Sequence, residues 1–239
     1  MVKGSIDSVE TMGLVDGPGI RYVVFMQGCK LRCLFCHNPE TWNMEDKNLT
    51  TPEELVATIK KYKNYFGAEG GVTFSGGDPL CQPEFLLECL KLCKQENIHT
   101  CLDTSGVGIK EDLHQEILRY TDLVILDIKA LNNDSYVKMV GQPIKSYLKF
   151  LDLCQKMNKK MWIRQVIIPN INDNEVYIKE LASFIKKLKN VLKVELLPYH
   201  TNGVYKYKEL NIDYKLNSEA MNKDRCLKLN EYLNELLKH

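Results

Sequence analysis

No apolar run in the chain is long enough to span a membrane, and the opening residues, MVKGSIDSVETMG, lack the uninterrupted apolar core of a signal peptide. A cytoplasmic protein with no membrane partner is the expectation. Neither sign of charge prevails. Lys and Arg total 32 against 31 Asp and Glu, a formal net of +1. That excludes a global basic field for nucleic acid and an acidic tail, so no nucleic-acid partner is expected. The 239 residues also lack any Gly/Ser/Pro linker, repeat or low-complexity block. One domain over residues 1–239 is expected, with a short N-terminal ribbon over about residues 1–15. A disulfide framework is missing too. Nine cysteines are an odd number, and no secretory signal accompanies them. Clustered cysteines here read as metal ligands or reactive thiols.

What is present alternates in character. Short runs rich in Val, Ile, Leu and Thr read as buried strands at Tyr22–Met26, Gly71–Phe74, His99–Asp103, Leu123–Asp127, Lys160–Ile168 and Val194–Leu197. Helical patterns lie between them. Thr51-Pro52-Glu53-Glu54 combines a capping box with proline at the first helical position. Leu55, Ile59, Tyr62 and Phe66 then recur at helical spacing. Glu84–Gln95, Lys110–Arg119, Ser146–Lys156, Glu175–Lys189 and Ser218–Leu237 read the same way. Repeated βαβ units predict an α/β fold with a parallel sheet, a partial (β/α)6 TIM-like barrel.

Polar and glycine-rich signals share one position, the C-terminal end of each strand. Gln27–Asn38 follows the first strand, Ser75–Pro79 the second and Asp103–Gly106 the third. Asp127 and Lys129 follow the fourth, Pro169–Asn170 the fifth and Pro198–His200 the sixth. In parallel barrels that face carries the active site.

Cys29, Cys33 and Cys36 fall within eight residues, at CxxxCxxC spacing, in the loop after the first strand. Thiolate sulfur suits iron–sulfur clusters and zinc. Most cubane clusters take four cysteines, one per iron. No fourth cysteine is near, so one iron is left open, as in catalytic rather than structural centres. Two other readings compete: a zinc site closed by His37, and three packed core thiols. His37 directly follows Cys36, which makes tetrahedral closure awkward, and Lys30, Arg32 and Asn38 are poor neighbours for an apolar core. The other six cysteines, among them Cys89 and Cys93 at helical spacing, read as core thiols.

The cysteine spacing, with aromatic Phe35 before the last cysteine, resembles the radical S-adenosylmethionine signature. The resemblance continues through Asp16-Gly17-Pro18-Gly19-Ile20-Arg21, Cys36-His37-Asn38-Pro39-Glu40-Thr41-Trp42 and Ser75-Gly76-Gly77-Asp78-Pro79. It extends to Asp103-Thr104-Ser105-Gly106, Leu126-Asp127-Ile128-Lys129, Trp162-Ile163-Arg164 and Leu196-Leu197-Pro198-Tyr199-His200. Together these are similar to the glycyl-radical activases. Some of those carry an inserted module with further cysteine clusters, but Pro39–Gly70 contains no cysteine, which points to the single-cluster type.

The resemblance implies a 4Fe–4S cluster on Cys29, Cys33 and Cys36, whose open iron chelates S-adenosylmethionine. One electron then cleaves the sulfonium, and the resulting 5′-deoxyadenosyl radical takes a hydrogen from a glycine of a partner enzyme. It implies cofactor contacts from Phe35, Cys36, His37, Gly77, Asp127, Ile128, Lys129, Arg164 and His200. Asp103, Thr104 and Asp127 would surround a monovalent cation, and Asp16 and Arg21 would grip the glycine loop of pyruvate formate-lyase. Reduced flavodoxin or ferredoxin would supply the electron to a monomeric enzyme. Asp78 stands where the family usually has glutamate or another residue, so Gly77 carries more weight. Plain turns, strand-ending hydrogen bonds and surface salt bridges are the ordinary readings of these positions taken singly. Two alternatives stay open: activation of another glycyl-radical enzyme or an anaerobic ribonucleotide reductase, and a zinc-stabilised binding module without catalysis.

Overall fold

Buried strands separated by amphipathic helices have few options besides a parallel sheet with helices on its outer face. A computed structural model describes residues 2–238 and has this architecture. Strand β1 (Gly4–Gly13) pairs antiparallel with β2 (Arg21–Met26), and the two-residue β3 (Leu49–Thr50) edges β1. Helix α1 (Pro52–Lys60) leads to β4 (Gly71–Gly76), α2 (Pro83–Gln95), β5 (His99–Thr104), α3 (His114–Arg119) and β6 (Leu123–Asp127). Helices α4 (Asn133–Val140) and α5 (Lys145–Lys156) precede β7 (Lys160–Ile167). Then follow α6 (Glu175–Ile185), β8 (Val191–Pro198), α7 (Val204–Glu209) and α8 (Lys223–Lys238). The sheet order is β3-β1-β2-β4-β5-β6-β7-β8. Strands β2 and β4 to β8 are mutually parallel, each followed by helix, and β8 does not return to β3. The barrel is therefore partial.

Local chemistry sets the helix ends. The Thr51 hydroxyl accepts from the Glu54 amide, and the Glu54 carboxylate accepts from the Thr51 amide, closing the capping box on α1. Asn132 caps α4, and Gly141 ends it in the left-handed conformation. Three predicted helices shorten. Helix α1 stops at Lys60, short of Tyr62 and Phe66 in its predicted pattern. Helix α6 stops at Ile185, not Lys189, and α8 begins at Lys223, after Asn222 accepts from the Arg225 amide. The region predicted as one helix from Lys110 is a 3-10 turn followed by α3. Helices α4 and α7 were not among the predicted elements.

Strand alternation sorts the side chains. Leu102, Val124, Leu126 and Ile163 join the main apolar core with the helices, while Cys101, Leu123 and Ile125 form a small separate cluster with Trp162. The period of two then sends Thr73 and Ser75, Asp103, Asp127, Arg164 and Glu195 to the same inner side as that small cluster. Register completes the arrangement: Asp127 pairs across from Arg164, and Arg164 from Glu195.

The turn between β1 and β2 crosses the lower lumen. The Thr73 hydroxyl donates to the Asp16 carbonyl at 2.6 Å, and Arg164 donates to the Val15 carbonyl. A Cβ on Gly17 would sit 3.0 Å from the Cys101 sulfur, and Gly17 has φ +135°. Only glycine fits that approach at that backbone angle.

Candidate active site

A cavity of about 230 Å³ opens where the parallel strands end. Its wall combines Cys29, Cys33 and Cys36 with Phe35, His37, Gly77, Asp103, Thr104, Asp127 and Lys129. These are ten of the residues singled out from sequence. A larger cleft of about 750 Å³ lies beside β8 between α6 and α8, but aliphatic side chains dominate it and it holds no thiol or histidine.

The cysteine loop is fixed by its neighbours. The Arg32 and Leu34 amides donate to the Val140 and Met139 carbonyls at the end of α4, both at 2.9 Å. The Arg32 guanidinium donates back to the Cys29 carbonyl at 2.7 Å, and the Tyr207 hydroxyl to the Cys36 carbonyl at 3.0 Å. Burial pushes the thiols of Cys29 and Cys36 up, and that of Cys33 up to about 12, with Lys129 opposing the shift at Cys33. Such thiols lose their protons on binding a metal rather than free in the cavity.

Gly77 forms a shelf facing them. Its amide donates to the Met26 carbonyl at 2.8 Å, and the Asp78 amide to the Gly28 carbonyl at 2.9 Å. A Cβ on Gly77 would lie 2.3 Å from the Gly28 oxygen and 3.0 Å from the Thr41 oxygen. The close approach of three backbone segments requires glycine here.

Asp78 is 1% exposed and accepts four hydrogen bonds. Donors are the Leu80 amide at 3.0 Å, the Thr104 hydroxyl at 2.7 Å, the Ser105 amide at 2.9 Å and the Ser105 hydroxyl. Thr104 in turn accepts from the Gly106 amide at 3.0 Å. Its proton is committed to Asp78, so what it offers the cavity is a lone pair. Sequence reasoning gave Asp78 little weight. The missed signal was an acid next to proline, with two hydroxyl residues at the end of the adjacent strand.

Charges ring the cavity floor. Lys129 donates to Asp127 at 2.6 Å and lies 5.3 Å from the Phe35 ring centroid. Burial lowers the Lys129 ammonium, but Asp127 and Cys33 outweigh it and leave the pKa raised. Arg164 lies one layer below, bonded to Glu195 at 3.0 Å and 3.6 Å from Asp103. Burial lifts the Asp103 carboxyl to about 7; Arg164 opposes that lift and Asp127 adds to it. The Ser75 hydroxyl donates to Asp103 at 3.0 Å. Ser75 and Glu195 were not assigned from sequence; a period-two reading of β4 and β8 would have put both on the inner side.

Five predicted residues lie off the cavity wall. Ile128 is 1% exposed, and its amide donates to the Arg164 carbonyl at 2.7 Å. Arg164 is in the layer below. His200 stands at the rim, its ring 3.7 Å from that of His37 and its carbonyl 2.8 Å from His37 Nε2. Asp16 lies in the turn across the lower lumen, where burial raises its carboxyl and Arg164 opposes the rise. Arg21 differs most from expectation. It is 0% exposed, and its guanidinium donates to the Thr73 hydroxyl at 3.0 Å and to the carbonyls of Val72, Pro18, Glu69 and His99. It fastens the turn to β4 and β5 and presents nothing to a partner.

The profile of the Radical SAM superfamily matches residues 23–182. The pyruvate formate-lyase-activating enzyme of Clostridium pasteurianum is 53% identical over 99% of this chain and 100% of its own. The chain belongs to the radical SAM superfamily, among the pyruvate formate-lyase-activating enzymes. The activating enzyme of Staphylococcus epidermidis is 45% identical over 95% of this chain and 94% of its own. Among solved structures, a domain of pyruvate-formate lyase-activating enzyme from Bacteroides vulgatus superposes with a TM-score of 0.57 at 26% identity. It covers 70% of this chain and 94% of that one. Streptococcus suis SuiB, bound to its precursor peptide SuiA, reaches a TM-score of 0.69 at 21% identity over 90% of this chain and 45% of that one, a likeness of fold alone.

Membership of the radical SAM superfamily implies a 4Fe–4S cluster and S-adenosylmethionine, and the donor set fits both. Among the described residues no group of three or more His, Cys, Asp or Glu is gathered for a single metal ion. A cubane instead takes each thiolate on a different iron, which the three cysteines of one loop can do. Among the described residues no helix is long and apolar enough to cross a membrane.

Proposed function

We propose that the cavity generates the radical that activates pyruvate formate-lyase. The observation carrying this reading is the convergence of three thiols, a bare glycine shelf and paired acidic and basic side chains on one cavity at the strand ends. When bound, the cluster would pass one electron to S-adenosylmethionine, and the radical so released would take a hydrogen from a glycine of the partner.

The chain's own residues then divide the work. Cys29, Cys33 and Cys36 would hold the cluster, one thiolate to an iron, and supply no fourth ligand. Gly77 lets the cofactor approach the backbone, while Lys129 and Arg164 supply cationic partners for a carboxylate. Asp103, Thr104 and Asp127 offer hard oxygens to a monovalent cation. Phe35, His37 and His200 flank the cofactor from the cysteine loop and rim, and Ile128 holds the β6 end against β7. Asp16 faces the partner's glycine loop, and Arg21 holds the turn that carries it. A flavodoxin or ferredoxin supplies the electron, and the chain works as a single-domain monomer in the cytoplasm.

Anaerobic reconstitution followed by EPR tests this. A reducible 4Fe–4S cluster, cofactor-dependent cleavage and a glycyl radical on pyruvate formate-lyase are expected. Stoichiometric zinc with no reducible cluster would refute the reading. A radical on a different glycyl-radical enzyme or an anaerobic ribonucleotide reductase, with none on pyruvate formate-lyase, would change the partner.

A further inference from the structure

The cysteine loop has a second face. Cys33 lines the inner cavity and also an outer one of about 400 Å³, which opens between the loop, the end of α4 and residues 207–215. Trp42 is the other side chain shared by both cavities. Cys33 thus stands in a thin wall with the reaction chamber on one side and the outer cavity on the other.

The outer cavity is cationic. Arg32, Lys138 and Lys215 line it and are exposed, against one acid, Asp213. Among the described residues none of these three cations makes an ion pair, although fourteen ion pairs occur elsewhere. Arg32 is held in place, its guanidinium 5.0 Å from the Trp42 ring centroid. Gly141 at the end of α4 packs on it, where a Cβ would lie 3.8 Å from that of Arg32, and Lys138, three residues earlier, lines the same opening. For a chain of net charge +1, three unpaired cations around one opening form a local field.

We infer that this face is the electron port, the docking surface for an acidic one-electron carrier protein. The inference rests on the function proposed above, which requires one electron per turnover from outside the chain. A group held by Cys33 on the inner side lies one residue from the outer cavity, whereas the partner glycine must reach the inner side. The carrier and the protein substrate therefore use different faces. Charge complementarity steers the encounter, and encounters of this kind need only a small, weakly held interface. With a flavodoxin, the anionic hydroquinone gives up one electron and becomes the neutral semiquinone. The oxidised cluster gains that electron; no bond breaks and no proton moves.

The test uses the anaerobically reconstituted holoenzyme and the double variant Lys138→Glu/Lys215→Glu. Cluster reduction is followed by stopped-flow absorbance and EPR, with photoreduced flavodoxin or with photoreduced deazaflavin alone. At low salt the variant should be reduced at least about ten-fold more slowly by flavodoxin and at the wild-type rate by deazaflavin. The wild-type rate with flavodoxin should fall as salt rises, and the variant's should not. Lys186→Glu/Lys187→Glu, just beyond the end of α6, makes the same charge change elsewhere and should leave the flavodoxin rate unchanged. Equal flavodoxin rates in wild type and the Lys138/Lys215 variant would overturn the port, as would an equal loss in the Lys186/Lys187 variant or with deazaflavin. A wild-type protein that neither reductant can reduce would overturn the proposed function itself.

Discussion

Replacing Asp78 with alanine asks how firmly the β4 and β5 loops are tied together. The carboxylate accepts from two backbone amides and two hydroxyls in a site 1% exposed. Truncation leaves all four donors facing an apolar void. The Thr104 and Ser105 hydroxyls can rotate toward other acceptors, but the Leu80 and Ser105 amides cannot. A buried donor left without a partner costs about 1–3 kcal/mol, so the two amides together predict a loss of about 2–6 kcal/mol. For a chain of this length that is a fall in melting temperature of about 10 °C. Thermal denaturation of the ligand-free protein, followed by circular dichroism, gives the number directly. Asp78→Asn should lose less, since its amide oxygen still accepts from two of the donors. The reasoning fails if Asp78→Ala melts within about 2 °C of wild type, for then the two loops are held by something else.

Other outcomes can be checked separately. Gly77→Ala forces its Cβ to 2.3 Å from the Gly28 oxygen, so the shelf must move; affinity for S-adenosylmethionine measured by calorimetry should drop at least about ten-fold with iron content unchanged. The Asp103 carboxyl, raised to about 7 by burial, favours its protonated form. Its contribution to stability is therefore full below the ordinary carboxylate range and is lost as pH rises through about 7. Melting curves of ligand-free protein between about pH 5 and pH 8 should decline with pH, and Asp103→Asn should flatten them; an unchanged slope in the variant would refute the assignment. Arg21→Ala removes a buried guanidinium with at least five acceptors and should cost on the order of 4 kcal/mol in chemical denaturation, while the cluster still forms on reconstitution.

The strands were the legible part of the fold because each is a short apolar run closed by polar residues. Leu123–Asp127 coincides with its predicted bounds, and β8 extends only to residues 191–198. Helix α4 was illegible: Asn132-Asn133-Asp134 reads as loop until the Asn132 side chain is seen to cap Ser135. That omission concealed the carbonyls of Met139 and Val140, which hold the cysteine loop. The cavity wall was readable from motifs at strand ends, since topology alone brings those ends together. Roles that depend on a specific partner were not. Asp78 looks like turn punctuation until Thr104 and Ser105 are seen to point at it. Arg21 looks like a surface cation until its carbonyl partners are counted, because arginine is seldom fully buried.

The turn that Arg21 fastens occupies the end of the lumen opposite the thiols. Its two apolar tips, Leu14 and Val15, are each 73% exposed, so it is held by polar contacts to Thr73, Arg164 and β5 rather than by core packing. It behaves as a stopper in a vessel whose walls are the six parallel strands. Cutting the chain back to Arg21 would remove this stopper together with the edge strand β1, leave the six parallel strands, and open the lumen from below. The antiparallel ribbon thus closes the lower end of the lumen, even though it contributes none of the residues that line the cavity.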